Sequence, residues 1–194
     1  MPYDVRPGPH SPPADELSSA EDSFGVLLQV IHLISADDLS RQTPCTQFDV
    51  AQLTDHLMNS ITVIGSAVGA QLPPRDATDS VERQIVALAR PTLDAWHAHG
   101  LTGMVMLGPN EAPAAVVIGI LSIEFLVHAW DYATALGRTL TASDALNEYV
   151  LGLAEQIITA NARADVGFAD PVVVSPDATP LDRLIAFTGR NRVA

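Results

Sequence analysis

Residues 112–130 read APAAVVIGILSIEFLVHAW. The run is mostly apolar and carries only one carboxylate, Glu124, and one imidazole, His128. A helix this apolar belongs inside a protein, so its polar residues need a reason to be there. The two sit at i, i+4 and project from one helix face, about 6 Å apart along the axis. An isolated carboxylate in an apolar interior costs on the order of several kcal/mol unless it is paired or binds a metal. A carboxylate beside an imidazole on a core helix reads as half of a metal site. Glu124 interrupts the run well short of the ~20 apolar residues that span a bilayer, so a core helix is expected rather than a membrane span.

The surrounding pattern is helical and points to an all-α fold. A first helix is expected from Ser18, with Glu21 completing a capping-box spacing and Phe24, Leu27, Leu28, Ile31 and Ile34 forming one apolar face. A second starts with Asp49 as N-cap and Gln52 three residues on; Leu53, Leu57, Ile61 and Ile64 mark its buried side, and His56 lies close to that side. A third runs from about Asp79, with Pro91 expected to kink or split it. The fourth runs from Pro113 to Leu136 with Gly137 as its stop. A fifth spans Ser143 to Ala164, and a last one begins near Thr179. The apolar run 101–107 has no clear state, and the valines at 172–174 are expected to be extended. The expected architecture is an up-and-down four-helix bundle with additional C-terminal helical elements. Residues 1–17, with five prolines and no apolar period, read as a flexible tail containing His10; residues 18–194 read as a single domain.

Composition narrows the function. A net charge of −13 repels phosphate backbones, so no nucleic-acid partner is expected, and nothing suggests a membrane partner. Cys45 is the only cysteine, which rules out an intrachain disulfide and a thiolate-based zinc cluster. With no basic and apolar leader at the start, the expected location is cytoplasmic.

The candidate ligands are His56, Glu124 and His128. Two histidines and a carboxylate on facing helices suit zinc with an open coordination position, and also nickel or iron. Asp131, three residues past His128, is a candidate for orienting an imidazole N–H from outside the ligand set. His32 is a reserve ligand, whereas His97, His99 and Asp55 read as surface groups. Spacing alone leaves other readings open: His56 as a satisfied core histidine, and Glu124 in an ion pair with Arg163 or Arg90. Cys45 reads as a turn or packing residue, since Pro44 and Thr46 offer no base to activate it.

Three segments resemble one family. TPCTQFDVAQLTDHL (43–57), IEFLVHAWDYATALGR (123–138) and PLDRLIAFTGRNR (180–192) are similar, in order, to signature segments of actinobacterial proteins related to mycothiol-dependent maleylpyruvate isomerase. That family belongs to the DinB/YfiT-like superfamily of four-helix bundles. The resemblance implies the same metal ligands, His56, Glu124 and His128, usually holding zinc. It also implies mycothiol as cosubstrate, a small-molecule substrate and a homodimer. Phe48 stands where tryptophan is commoner. The chain ends soon after Gly189-Arg190, so the additional C-terminal domain of the isomerases is not expected, and the resemblance implies the fold and metal site rather than maleylpyruvate isomerisation. The expected activity is a divalent-metal, thiol-dependent transferase or isomerase. The alternatives are a non-catalytic metal- or ligand-binding bundle and a metal-dependent hydrolase using the same ligands.

Overall fold

The computed structural model describes residues 11–160, 163 and 168–190. Residues 1–10, with His10, and most of the fifth helix's expected last turn lie outside the described residues. The chain is mostly helical: α1 (Glu16–Ile31), α2 (Val50–Ser66), α3 (Val81–His99), α4 (Ala114–Ala135), α5 (Asp144–Ile157) and α6 (Pro180–Phe187), with a 3-10 turn at Ala36–Asp38.

α4 is the central helix, with α1, α2 and α5 around it. Its window is long and apolar enough to cross a membrane by length and composition, yet 83% of it is buried inside the protein. Ile118, Leu121, Phe125 and Leu126 are fully enclosed, each contributing about 1.5–3 kcal/mol of transfer free energy. α3 packs against both α1 and α2, which gives the ring order α1–α4–α2–α3. A simple up-and-down order would seat α1 beside α2. Here the long connection 32–49 instead carries the chain across the bundle, as crossover connections do. α6 packs on α5.

Local chemistry accounts for most boundaries. Asp49 caps α2, accepting the Gln52 N–H at 2.8 Å, while the Gln52 amide oxygen accepts the Asp49 N–H at 3.0 Å. α4 ends in a Schellman motif: Gly137 takes φ 65°, its N–H reaches the Thr134 carbonyl, and the Arg138 N–H reaches Ala133.

α1 begins at Glu16, ahead of the expected Ser18. Asp15 takes the cap and Ser18 becomes the reciprocal partner, because the buried Leu17 must already be helical to pack. α3 continues through Pro91 without a break and ends at Gly100, φ 79°. α5 stops at Ile157, because the buried stripe Val150, Leu153, Ala154 and Ile158 has no large apolar continuation over 159–164.

The run 101–107 contains β1 (Met104–Leu107), which pairs antiparallel with β2 (Asn110–Pro113) across a turn at Gly108, φ 61°. This hairpin is the only sheet among the described residues and departs from a purely helical chain. Residues 172–174 form no strand; the Val172 N–H bonds the Ala186 carbonyl of α6, and Val173 is fully exposed.

Candidate metal centre

α2 and α4 pack side by side and bring three sequence-expected residues together. His56 Nε2 lies 3.3 Å from Glu124 Oε2, and His128 Nε2 lies 3.6 Å from the same oxygen. One candidate ligand atom from each residue lies within 4.8 Å of the others. Glu124 Oε2 is buried and accepts no hydrogen bond among the described residues. An acceptor buried in that state is costly unless something else satisfies it.

The 3.3 Å and 3.6 Å separations are close to those between the ligand atoms of a bound zinc ion. Two ligand atoms at zinc bonding distance in a tetrahedral site lie roughly 3.3–3.4 Å apart. His128 is buried, whereas the His56 side chain is 37% exposed, leaving one side of the cluster open. Phe48 stacks on His56 with ring centroids 5.1 Å apart and planes at 23°, so the smaller aromatic at this position still packs on the imidazole.

Asp131 sits behind His128. Its Oδ2 is 2.9 Å from His128 Nδ1, and the carboxylate is wholly buried. The bond directs Nδ1 away from the cluster and leaves Nε2 facing it. Arg190, which carried no role in the sequence reading beyond its place in the closing segment, completes the network. Its Nε is 3.3 Å from each Asp131 oxygen and its Nη2 is 3.0 Å from Oδ2.

Burial alone would raise the Glu124 carboxyl, but His128 and His56 override it and hold the group well below the usual carboxylate range. Burial would likewise raise Asp131, and Arg190 and His128 bring it down. Burial opposes the charged form of His128, yet Asp131 and Glu124 together raise it above an ordinary histidine.

The other candidates fall elsewhere. His32 Nδ1 contacts the Leu28 carbonyl at 2.9 Å on the exposed side of α1, so it is no reserve ligand. His97 pairs with Glu21 at 2.6 Å, and His99 turns to the Gly100 carbonyl; both are exposed. Asp55 is exposed beside His56. Neither arginine reaches Glu124: Arg163 donates to the Ala169 and Phe187 carbonyls, and Arg90 is exposed on α3. The Cys45 carbonyl closes a turn with the Phe48 N–H, and burial pushes its thiol up, away from the reactive thiolate. Cys45, Gln47, Phe168 and Arg190 are among the residues lining a cleft of about 340 Å³.

No family model matches the chain. Two uncharacterized proteins of Mycobacterium tuberculosis, one from strain ATCC 25618 / H37Rv and one from strain CDC 1551 / Oshkosh, are similar to it. Each is 28% identical over 174 residues, covering 89% of this chain and 94% of the relative. No solved structure matches.

Proposed function

We propose that this chain is a divalent-metal protein with a DinB-like bundle, in which His56, Glu124 and His128 hold zinc and an open position faces His56. The carrying observation is the buried Glu124 Oε2, which lacks a hydrogen bond and lies 3.3 Å and 3.6 Å from two imidazole nitrogens, close to the edge of a tetrahedral zinc site. Nickel or iron would accept the same donor set.

The reading continues to a thiol-dependent transferase or isomerase acting on a small electrophile, with mycothiol as the thiol. Bound there, a divalent metal would lower the pKa of a coordinated thiol and favour the thiolate near neutral pH. The residues' own part is to fix three donors, exclude water from the His128 side and leave the His56 side accessible. The cleft at Cys45 and Arg190 has a volume suited to a small molecule, although none of His56, Glu124 and His128 lines it. Its lining residues include no carboxylate, in a chain of net charge −13. A cytoplasmic location accords with a single unpaired cysteine.

The test is elemental analysis of untagged protein beside His56→Ala, followed by an electrophile panel with and without thiol. About one divalent ion per chain, lost in the variant, together with thiol-dependent consumption of an electrophile, supports the proposal. Thiol-independent ester or amide cleavage would move the reading to a hydrolase. Retained metal with no turnover would make the chain a binding protein, and no metal after reconstitution would remove the metal site itself.

A further inference from the structure

Arg190 is almost wholly buried, at 5% exposure, and no bond joins it to any of the three candidate ligands. Its guanidinium is spent on Asp131 and on the Thr188 carbonyl, which accepts from Nη1 at 3.0 Å. A buried guanidinium–carboxylate pair is a poor way to gain stability, because desolvation offsets most of the attraction and well-packed apolar residues do as well or better. The pair asks for a purpose beyond cohesion.

Asp131 Oδ2 supplies one. The same oxygen contacts His128 Nδ1 at 2.9 Å and Arg190 Nη2 at 3.0 Å. Held by Arg190, the carboxylate cannot rotate away from the imidazole, so the His128 ring is fixed with Nε2 turned to Glu124 and His56.

The backbone delivers the guanidinium with equal care. α6 ends in a Schellman motif, with the Gly189 N–H on the Ala186 carbonyl and the Arg190 N–H on Ile185. Gly189 takes φ +80°, and a Cβ there would stand 2.7 Å from the Ala169 carbonyl oxygen. The chain therefore turns tightly after α6 and sends Arg190 inward.

We infer that Arg190 is a positioning residue for the metal centre, acting through Asp131 to set the His128 ring, so that the end of α6 controls metal affinity. The inference rests on the metal-binding reading above but concerns a residue outside its ligand set.

The experiment measures zinc affinity by chelator competition near neutral pH for the full chain and for Arg190→Gln, Arg190→Lys, Asp131→Asn and the double variant Arg190→Gln/Asp131→Asn. A second readout is the downfield proton resonance of the His128 Nδ1–H in zinc-free protein. Affinity should fall about 10- to 100-fold in Arg190→Gln, with partial recovery in Arg190→Lys. The double variant should be no weaker than the weaker single variant, because both act on one path. The ring N–H resonance should be sharp in the parent chain and exchange-broadened in Arg190→Gln. A folded Arg190→Gln that binds zinc within about twofold of the parent, or losses that simply add in the double variant, would overturn the inference. If Arg190→Gln does not fold, Arg190→Lys decides by the same criteria. If the parent chain takes no zinc, the proposed function fails by itself. The control of metal affinity then falls with it, and the resonance decides only whether Arg190 sets the His128 ring: unchanged in the variant, it does not; exchange-broadened, it does.

Discussion

Oε2 of Glu124 lies 3.3 Å from Nε2 of His56, and no hydrogen bond joins the two. Close approach without a hydrogen bond is what the proposed metal reading expects of two ligand atoms. Glu124→Gln keeps the shape and removes the charge. Stoichiometric zinc binding should be lost, by at least ~100-fold in affinity, because a neutral amide oxygen is a far weaker donor. The zinc-free variant should remain folded, since the substituted group already lacks a hydrogen bond at Oε2. Elemental analysis beside a chemical unfolding curve checks both halves. A variant that keeps one zinc per chain would remove Glu124 from the ligand set.

The charge state of His128 makes loaded and zinc-free protein respond oppositely to pH. Its pKa in the fold is raised from 6.5, with Asp131 and Glu124 outweighing burial. A raised value means stability that is fully present below the unfolded pKa and is lost as pH rises through the folded one. Zinc-free protein should therefore weaken as pH climbs above about 6.5. Zinc competes with the same proton, so metal uptake should strengthen over that window. Asp131 is lowered from 3.8, so its contribution is present above that value and lost as pH falls through the folded one. Denaturant midpoints across this range, with chelator and with zinc, should diverge. Parallel curves would count against a raised His128.

The legible parts were those decided locally. Asp49 with Gln52, Ser143, Thr179 and Gly137 each mark a helix end through bonds spanning three to five residues, and each mark stands at its expected place. Glu124 and His128 were legible because an apolar helix leaves polar residues conspicuous. The end of α1 was less so, because Asp15 and Ser18 are both good caps and only the burial of Leu17 chooses between them. The hairpin escaped because each strand has four residues, too few for alternation to declare itself. Arg190 escaped because its partner Asp131 lies 59 positions away, and an arginine near a chain end ordinarily reads as solvated. The ring order of the helices depends on long-range packing that no local pattern encodes.

Two glycines separate conformational need from empty space. Gly189 has φ +80° and backbone of Ala169 within 2.7 Å of where a Cβ would stand. Gly152 lies inside α5 at an ordinary helical angle with nothing within 4 Å. Gly189→Ala should cost about 2 kcal/mol or more through strain and clash. Gly152→Ala should add about 0.5–1 kcal/mol by restricting the unfolded chain and favouring helix. Equilibrium unfolding of the two variants gives the comparison, and a neutral Gly189→Ala would deny the turn its role in delivering Arg190.

Tyr132 and Thr54 join the two helices that carry His56, Glu124 and His128. Their hydroxyls meet at 3.0 Å in the core, and the Thr54 hydroxyl already donates to the Val50 carbonyl, so Tyr132 is the donor between them. Burial keeps the Tyr132 phenol protonated far above its usual range, which preserves that donor. Thr54 is half a turn before His56, and Tyr132 is one turn past His128. The bond therefore sets the register in which α2 presents His56 to Glu124. Tyr132→Phe and Thr54→Val should each cost about 1 kcal/mol. The double variant should cost less than the sum, because each substitution deletes the same bond. Zinc affinity should fall a few-fold in either single variant with no ligand altered. A double-mutant cycle in denaturant, run beside the zinc titration, measures both. Strict additivity in the first, with unchanged affinity in the second, would reduce this contact to ordinary core packing.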